Sequence, residues 1–243
     1  MNIKRFGFVP ILFASLLSGC ITVVTTNNQD DKQATTDKGK FVIRVDNDDN
    51  SLKMDVHSSF DSLTDFIEDT DLPGLSSPYS YKWFNQSTNN KFSDIHNEYT
   101  ESLMGKDDDG LKFYKFTFFL KNVGETDSSY YMDIKLTGLD KNHVDEYIRV
   151  LAFEGLNKQT VYAKPSKTSS ANDGKEYIDS TDQDLGVAEK LNDNDISIGP
   201  NTLSADQNIK FTLLFWLEGG DPECQNVPDN VPLNVEVNIK GYK

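Results

Sequence analysis

The chain has 243 residues, with 39 Asp and Glu against 24 Lys and Arg, so its formal net charge at pH 7 is −15. Such an acidic surface repels phosphate backbones, which argues against nucleic acid as a partner. The length allows one large all-β domain or two small ones.

The first twenty residues have the three-part layout of a secretory signal. Lys4 and Arg5 form a charged start, an uncharged stretch follows over residues 6–17, and the segment ends in Leu-Ser-Gly-Cys at residues 17–20. About 12 apolar residues interrupted by Pro10 are too short for a transmembrane helix, which needs ~20. The pattern therefore favours a cleaved leader over a membrane span.

A cysteine directly after Leu-Ser-Gly resembles the signal of bacterial lipoproteins. In that family the cysteine sulfur receives a diacylglyceryl group and the chain is cut just before it. The resemblance implies a signal peptide over residues 1–19, lipid on Cys20, and anchoring at the extracellular face of the cell membrane. Residues 20–40 are rich in Thr, Asn, Asp and Lys after the first few positions, which predicts a flexible tether.

Apolar and polar residues alternate with a period of two from residue 41 onward, which is typical of half-buried strands. The first two runs, 41–45 and 52–56, are separated by turn residues and predict a hairpin. Residues 41–243 are therefore predicted to form an all-β domain, an antiparallel, jelly-roll-like β-sandwich with a few short helices and long loops. The other strand candidates are 111–121, 130–137, 147–153, 160–164, 209–217 and 233–239.

No catalytic motif is recognisable in the sequence. None of the three histidines, His57, His96 and His143, lies in an H-E-x-x-H motif. His96 and Glu98 form H-x-E, but no C-x-x-C follows them in the sequence to complete a zinc site. The nucleophile motif G-x-S-x-G is also missing. If Cys20 carries lipid, Cys224 has no partner within the chain, and we expect it to be buried or to contact another molecule. These features favour a non-catalytic domain.

One acidic run could bind calcium. Residues 46–50, Asp-Asn-Asp-Asp-Asn, place oxygen ligands at the first, third and fifth positions of a calcium loop, but Ser51 and His57 stand where an EF-hand needs glycine and glutamate. A solvated turn explains the run without a cation. Calcium binding by several acidic loops together stays open, and no other cofactor is predicted.

Three aromatic residues, Tyr79, Tyr81 and Trp83, follow one another at a spacing of two. In a strand, this spacing would place all three rings on one side. If exposed, the rings would form a platform for sugars or for a protein partner; if buried, they belong to the core.

The most distinctive segment is residues 202–224, in which a long strand ends in W-L-E-G-G-D-P-E-C. Three acidic residues, Glu218, Asp221 and Glu223, lie here beside a Gly-Gly turn. They could bind a cation or order the loop; alternatively, they belong to a capped turn with exposed acids. The W-x-E-G-x-D-x-x-C arrangement resembles segments in the TasA/camelysin-like exported proteins. The upstream segment FYKFTFFLKNVGETDSSYYMDIKL is similar to a hairpin in their core.

The resemblance implies a jelly-roll β-sandwich, and that group includes fibre subunits of biofilm matrix. Its fibres grow when each subunit lends a free N-terminal strand to its neighbour, and lipid on Cys20 would tether that end. Peptidase activity has been attributed to some members, but this sequence has no recognisable zinc site that would support it.

Two functions follow from these observations. The first is a cell-surface lipoprotein whose non-catalytic β-sandwich binds an extracellular glycan or protein, or contributes to adhesion or matrix. The alternative is an extracellular hydrolase of polysaccharide or protein with Glu218 and Asp221 as the acid and base. The hydrolase would need a cleft in which these carboxyl groups lie about 5–10 Å apart.

Overall fold

The computed structural model describes residues 38–82, 103–107, 110–139, 143–156, 158–165, 176–179, 183–228 and 230–242. The chain divides into two units, 1–35 and 36–243. The predicted signal, Cys20 and most of the tether lie outside the described residues and stay predictions. No helix in the described part is long and apolar enough to cross a membrane.

Twelve strands account for most of the described residues. A one-turn helix, α1 (Val144–Tyr147), and a 3-10 turn, Gln183–Leu185, are described beside them. The strands are β1 (Gly39–Asn47), β2 (Leu52–Asp55), β3 (Phe66–Leu72), β4 (Leu103–Asp107), β5 (Gly110–Asn122), β6 (Ser128–Thr137), β7 (Ile148–Glu154), β8 (Lys158–Ala163), β9 (Glu189–Lys190), β10 (Asp195–Leu203), β11 (Asn208–Leu217) and β12 (Asn234–Tyr242).

The strands form two sheets that pack face to face as a β-sandwich. The first sheet has the order β10-β6-β12-β1-β3, and the second has the order β2-β5-β11-β7-β8-β9, with β4 also paired to β5. Successive strands repeatedly switch sheets, as in a jelly roll. Most pairs are antiparallel, but β1 runs parallel to β12 and β8 runs parallel to β9. The predicted all-β sandwich is confirmed.

The main core lies between the sheets and uses the faces that the alternation predicts. Phe41 of β1 stacks on Phe116 of β5, with ring centroids 3.5 Å apart, and so joins the two sheets. The apolar positions of β5, β6, β11 and β12 that alternate with polar ones all point into this core. Burial of one face of each strand therefore explains the period of two.

The hairpin predicted over residues 41–56 is wrong, and so is the core hairpin that the resemblance implies for β5 and β6. The runs 41–45 and 52–56 belong to opposite sheets, and β5 and β6 are also in different sheets. An asparagine at the start of each connection bonds to the backbone. The side-chain amide of Asn47 donates to the carbonyl of Leu52 and accepts from its N–H, both at 3.2 Å. The side-chain amide of Asn122 donates to the carbonyl of Leu203 at 2.9 Å. These side chains stabilise crossings between sheets, although the residues are also typical of hairpin turns.

The second sheet is buried on its outer face as well. A second cluster of apolar side chains lies there around Trp216 of β11, Leu151 of β7 and Phe113 of β5, and it is covered by Tyr79, Tyr81, Ile178, Leu185 and Ala188. The expectation that every strand is half-buried is wrong for β5, β7 and β11, because Lys115, Thr212 and Arg149 are fully buried on this face.

Candidate functional site

The end of β11 carries the acidic residues that the sequence singles out. Trp216 and Glu218 are two residues apart, so both point to the outer face of the second sheet. The indole Nε1 of Trp216 donates to Oε2 of Glu218 at 3.0 Å, and the backbone N–H of Tyr81 donates to the same oxygen at 3.1 Å. The backbone N–H of Gly220 donates to Oε1 at 3.2 Å. Glu218 is therefore completely buried, with donors for both carboxylate oxygens.

Residues 218–224 form a compact turn held by Asp221. The backbone N–H of Asp221 donates to the carbonyl of Glu218 at 3.1 Å, and the N–H of Cys224 donates to the carbonyl of Asp221 at 3.0 Å. Oδ1 of Asp221 accepts a hydrogen bond of 3.1 Å from the N–H of Glu223. These bonds fix the chain where it leaves the strand.

Arg149 of β7 connects this turn to the segment that covers the sheet. Its Nη2 lies 2.8 Å from Oδ2 of Asp221 and 2.7 Å from Oε1 of Glu176. All three side chains are buried, and Arg149 is completely inaccessible to solvent. A guanidinium with two carboxylate partners at these distances forms charge-assisted hydrogen bonds, which are stronger than neutral ones.

A second contact joins the aromatic segment to the same cover. Oδ2 of buried Asp179 accepts hydrogen bonds from the hydroxyl of Ser80 at 2.7 Å and from the backbone N–H of Lys82 at 3.2 Å. Arg149, Glu218, Asp221, Glu176 and Asp179 are defined here as the buried polar cluster. It links three parts of the chain that are distant in sequence.

Burial raises the pKa of two acids of the cluster, Asp221 and Glu218. Burial, the largest cause, and the neighbouring carboxyl of Glu223 together raise the pKa of Asp221 from 3.8 to about 7, against the opposing effect of Arg149. Burial also raises the pKa of Glu218, and the charge of Asp179 adds to that effect. Because Arg149 is shared between Asp221 and Glu176, its charge does not cancel the cost of ionising Asp221.

The aromatic residues do not form a stripe on a strand. Tyr79 is half-buried and makes an isolated bridge with Glu218, whereas Tyr81 is buried and begins a helical turn. The ring of Tyr79 lies 5.5 Å from that of Phe113, and the ring of Tyr81 lies 6.3 Å from that of Trp216. The predicted strand is wrong for these two residues, but both rings pack against the second apolar cluster, as the buried alternative expects. Trp83 lies outside the described residues.

Cys224 packs at the margin of the main core and is partly buried. Burial raises the pKa of its thiol to about 12, and the negative charges of Asp221 and Glu218 contribute to the rise. In the described part of the chain, no three or more His, Cys, Asp or Glu side chains form a group that could hold a metal ion. Calcium binding by the acidic run at residues 46–50, or by Glu218, Asp221 and Glu223, stays a prediction.

Two adjoining grooves lie at another edge of the sandwich. The larger has a volume of about 510 Å³ and is lined by residues of β8, β9 and β10. The smaller has a volume of about 410 Å³ and shares Lys190 and Asn192 with the first. Glu218 and Asp221 line neither groove.

Arg149 was missed by the sequence reasoning, although a signal for it exists. It is the charged residue in Ile-Arg-Val-Leu-Ala-Phe at positions 148–153. A strand that is apolar at both odd and even positions is buried on both faces. A charge within such a strand must therefore be paired, and this reasoning would have pointed to acidic partners.

No family model and no curated protein matches this sequence. The chain is similar to a solved structure of AvmM, which catalyses macrocyclization in alchivemycin A biosynthesis. The two chains are 8% identical, with a TM-score of 0.24, over 54% of this chain and 79% of that one. A likeness this weak carries no argument about the function of this chain.

Proposed function

We propose that this chain is a lipoprotein at the extracellular face of the cell membrane, whose β-sandwich binds an extracellular ligand without catalysis. The observation that carries the proposal is the Leu-Ser-Gly-Cys sequence at residues 17–20, after a charged start and a short apolar run. Residues 20–40 would hold the sandwich away from the lipid. A role in adhesion or matrix agrees with this placement and with the resemblance to TasA/camelysin-like proteins.

Ligand binding is supported by the grooves on the sandwich edge. A volume of about 510 Å³ falls within the ~300–1,000 Å³ typical of small-molecule sites. The grooves lie among side chains of opposite charge and not within the core, so a ligand could enter without opening the sandwich.

The hydrolase alternative has less support. Both oxygens of Glu218 and both oxygens of Asp221 already accept hydrogen bonds from groups of the protein itself. A general acid and base must reach the substrate, and these carboxyls are buried. The elevated pKa of Asp221 is explained by this burial without a catalytic role.

Metabolic labelling with an alkyne fatty acid tests the anchor in bacteria that express the full chain. Wild type should label and fractionate with membranes, because Cys20 would carry the lipid. Cys20→Ala should lose the label and appear in the medium or the soluble fraction. Cys224→Ala is the matched control, since it removes the other cysteine of the chain and should label like wild type. Equal labelling of Cys20→Ala would overturn the proposal.

A further inference from the structure

The two grooves form where the chain crosses from the second sheet to the first. Strand β9 ends at Lys190, the backbone N–H of Leu191 bonds to the carbonyl of Ala163, and Asn192 and Asp195 bridge to each other before β10 begins. Strand β10 is an edge of the first sheet, and β9 is an edge of the second. The crossing therefore leaves a depression between the two edge strands.

The lining of the grooves contains both lysines and acids, in a chain that is acidic as a whole. Lysines and acids are present in equal numbers: Lys158, Lys164, Lys190, Glu189, Asp193 and Asp195. The whole chain has a net charge of −15. Lys158 and Lys164 pair with Glu154 and Asp145, which do not line the grooves. The three lining acids therefore outnumber the one lysine without a partner among the described residues, Lys190. This disfavours an anionic ligand and leaves carboxylates that can accept hydrogen bonds from ligand hydroxyls.

The three lysines of the lining differ in whether their ammonium groups already form an ion pair within the protein. Lys158 pairs with Glu154 at 2.6 Å, and Lys164 pairs with Asp145. The side chain of Lys190 makes no hydrogen bond or ion pair with any part of the chain that the structure describes, and it is exposed at the junction of the two grooves. Its ammonium group can therefore donate to a ligand without breaking an existing contact.

The remaining lining residues add groups that both donate and accept. Thr160, Tyr162 and Ser197 supply hydroxyls, and Asn192 supplies an amide. The hydroxyl of Ser197 already donates to Asp133 at 2.8 Å, so it can only accept from a ligand. Tyr162 is half-buried and packs against the main core, which holds its side chain in place. Lysine donors, carboxylate acceptors and hydroxyls within one groove match a ligand whose own groups each donate and accept. Sugar hydroxyls have this property, whereas apolar molecules and simple ions do not.

We propose that the larger groove, which is lined by both Lys190 and Asp195, binds a neutral oligosaccharide. Lys190 donates to a sugar oxygen, and Asp195 accepts from a sugar hydroxyl. The inference rests on the proposed function, which displays the sandwich outside the cell where glycans are present. It differs from the aromatic platform predicted at Tyr79, Tyr81 and Trp83, because it involves neither those residues nor stacking on their rings.

The test uses the full chain in detergent micelles on an array of neutral oligosaccharides, with uronic-acid oligosaccharides of matched backbone beside them. The best binder is then titrated by calorimetry against Lys190→Ala and Asp195→Ala. Each variant should weaken binding about ten-fold or more, because each removes a polar contact to the ligand. Lys40→Ala is the matched control: Lys40 is an exposed lysine that pairs with Glu68 at the opposite edge of the first sheet.

Three results would overturn the inference. One is that no oligosaccharide binds; another is that uronic-acid oligosaccharides bind more tightly than neutral ones and depend on Lys190 alone. The third is binding that the two groove variants leave unchanged. Fatty-acid labelling of Cys20 is measured independently, so a negative array with a labelled, membrane-bound protein rejects the groove and leaves the anchor intact.

Discussion

The indole Nε1 of Trp216 donates a hydrogen bond of 3.0 Å to Oε2 of Glu218, and both side chains are completely buried. This bond lies on the outer face of a sheet whose inner face forms the main core. A strand that is covered on one face alone would expose both groups to water. The bond therefore marks the place where the second sheet acquires its additional cover.

Replacing Trp216 with Phe should destabilise the fold, because the variant removes a donor to a buried carboxylate and leaves a small cavity. We expect a loss of about 2–3 kcal/mol in the free energy of unfolding, measured by urea denaturation. A double-mutant cycle with Glu218→Gln isolates the hydrogen bond. The coupling energy should reach about 1 kcal/mol, and additive effects within about 0.5 kcal/mol would show that the contact contributes little.

The strands and their inward faces were predictable from the sequence, whereas the pairing was not. Alternation shows which residues of β5 and β6 share a face, but it contains no information on which strand lies alongside. The turn residues after Asn47 and Asn122 are typical of hairpins. In the folded chain the side chain of Asn47 bonds to Leu52 of the opposite sheet, only five positions later. The side chain of Asn122 bonds to Leu203, 81 positions away, and a contact this distant leaves no local signal.

The acidic turn was recognisable as a candidate, but its burial was not. Glu218, Asp221 and Glu223 are charged residues beside glycines, a composition typical of exposed loops. Glu218 and Asp221 are buried under the cover of the second sheet, and Glu223 is half-buried. Arg149, the partner of Asp221, lies 72 positions before it in the chain. The burial of Lys115 is equally hard to predict, because a lysine that alternates with apolar residues usually faces water, yet this one is fully buried.

Arg149→Met should be the most damaging single change in the buried polar cluster. Methionine keeps much of the side-chain volume but removes the cation that Arg149 places beside the buried carboxylates of Glu176 and Asp221. Breaking a buried pair in this way costs about 3–5 kcal/mol, measurable by urea denaturation at pH 7. The loss should be smaller at pH 5, because the uncompensated carboxyls can take up protons.

Arg44→Met is the matched control for that change. Arg44 is half-exposed, and its Nε lies 3.8 Å from Oε1 of Glu236, which is also half-exposed. Exposed pairs contribute about 0–1 kcal/mol, so this variant should unfold close to wild type. Similar losses for the two variants would mean that the cluster around Arg149 has no special role in stability.

Asp221 should make the domain less stable as the pH rises toward neutrality. The pKa of an aspartate carboxyl in water is 3.8, and burial raises that of Asp221 to about 7 in the folded chain. Between these values the folded state binds the proton more tightly, so the free energy of unfolding falls with increasing pH, by at most about 1.4 kcal/mol per unit. Asp221→Asn should flatten this dependence between pH 5 and 8 in urea denaturation.

Asp71→Asn is the control for this variant, because Asp71 is exposed, and it should keep the wild-type dependence of stability on pH. An unchanged slope in Asp221→Asn would contradict the raised pKa of Asp221.

Cys224 should react slowly in the folded protein. Because the pKa of its thiol is about 12, little thiolate forms at pH 8, and thiolate is the reactive species. In a Cys20→Ala chain, which contains no other cysteine, a chromogenic disulfide reagent should label Cys224 at least about ten-fold more slowly in buffer than in guanidinium chloride. Adding Asp221→Asn should accelerate native labelling, since it removes a negative charge that raises the thiol pKa. Equal rates in the folded and unfolded chains would show that the turn at residues 218–224 does not enclose the sulfur.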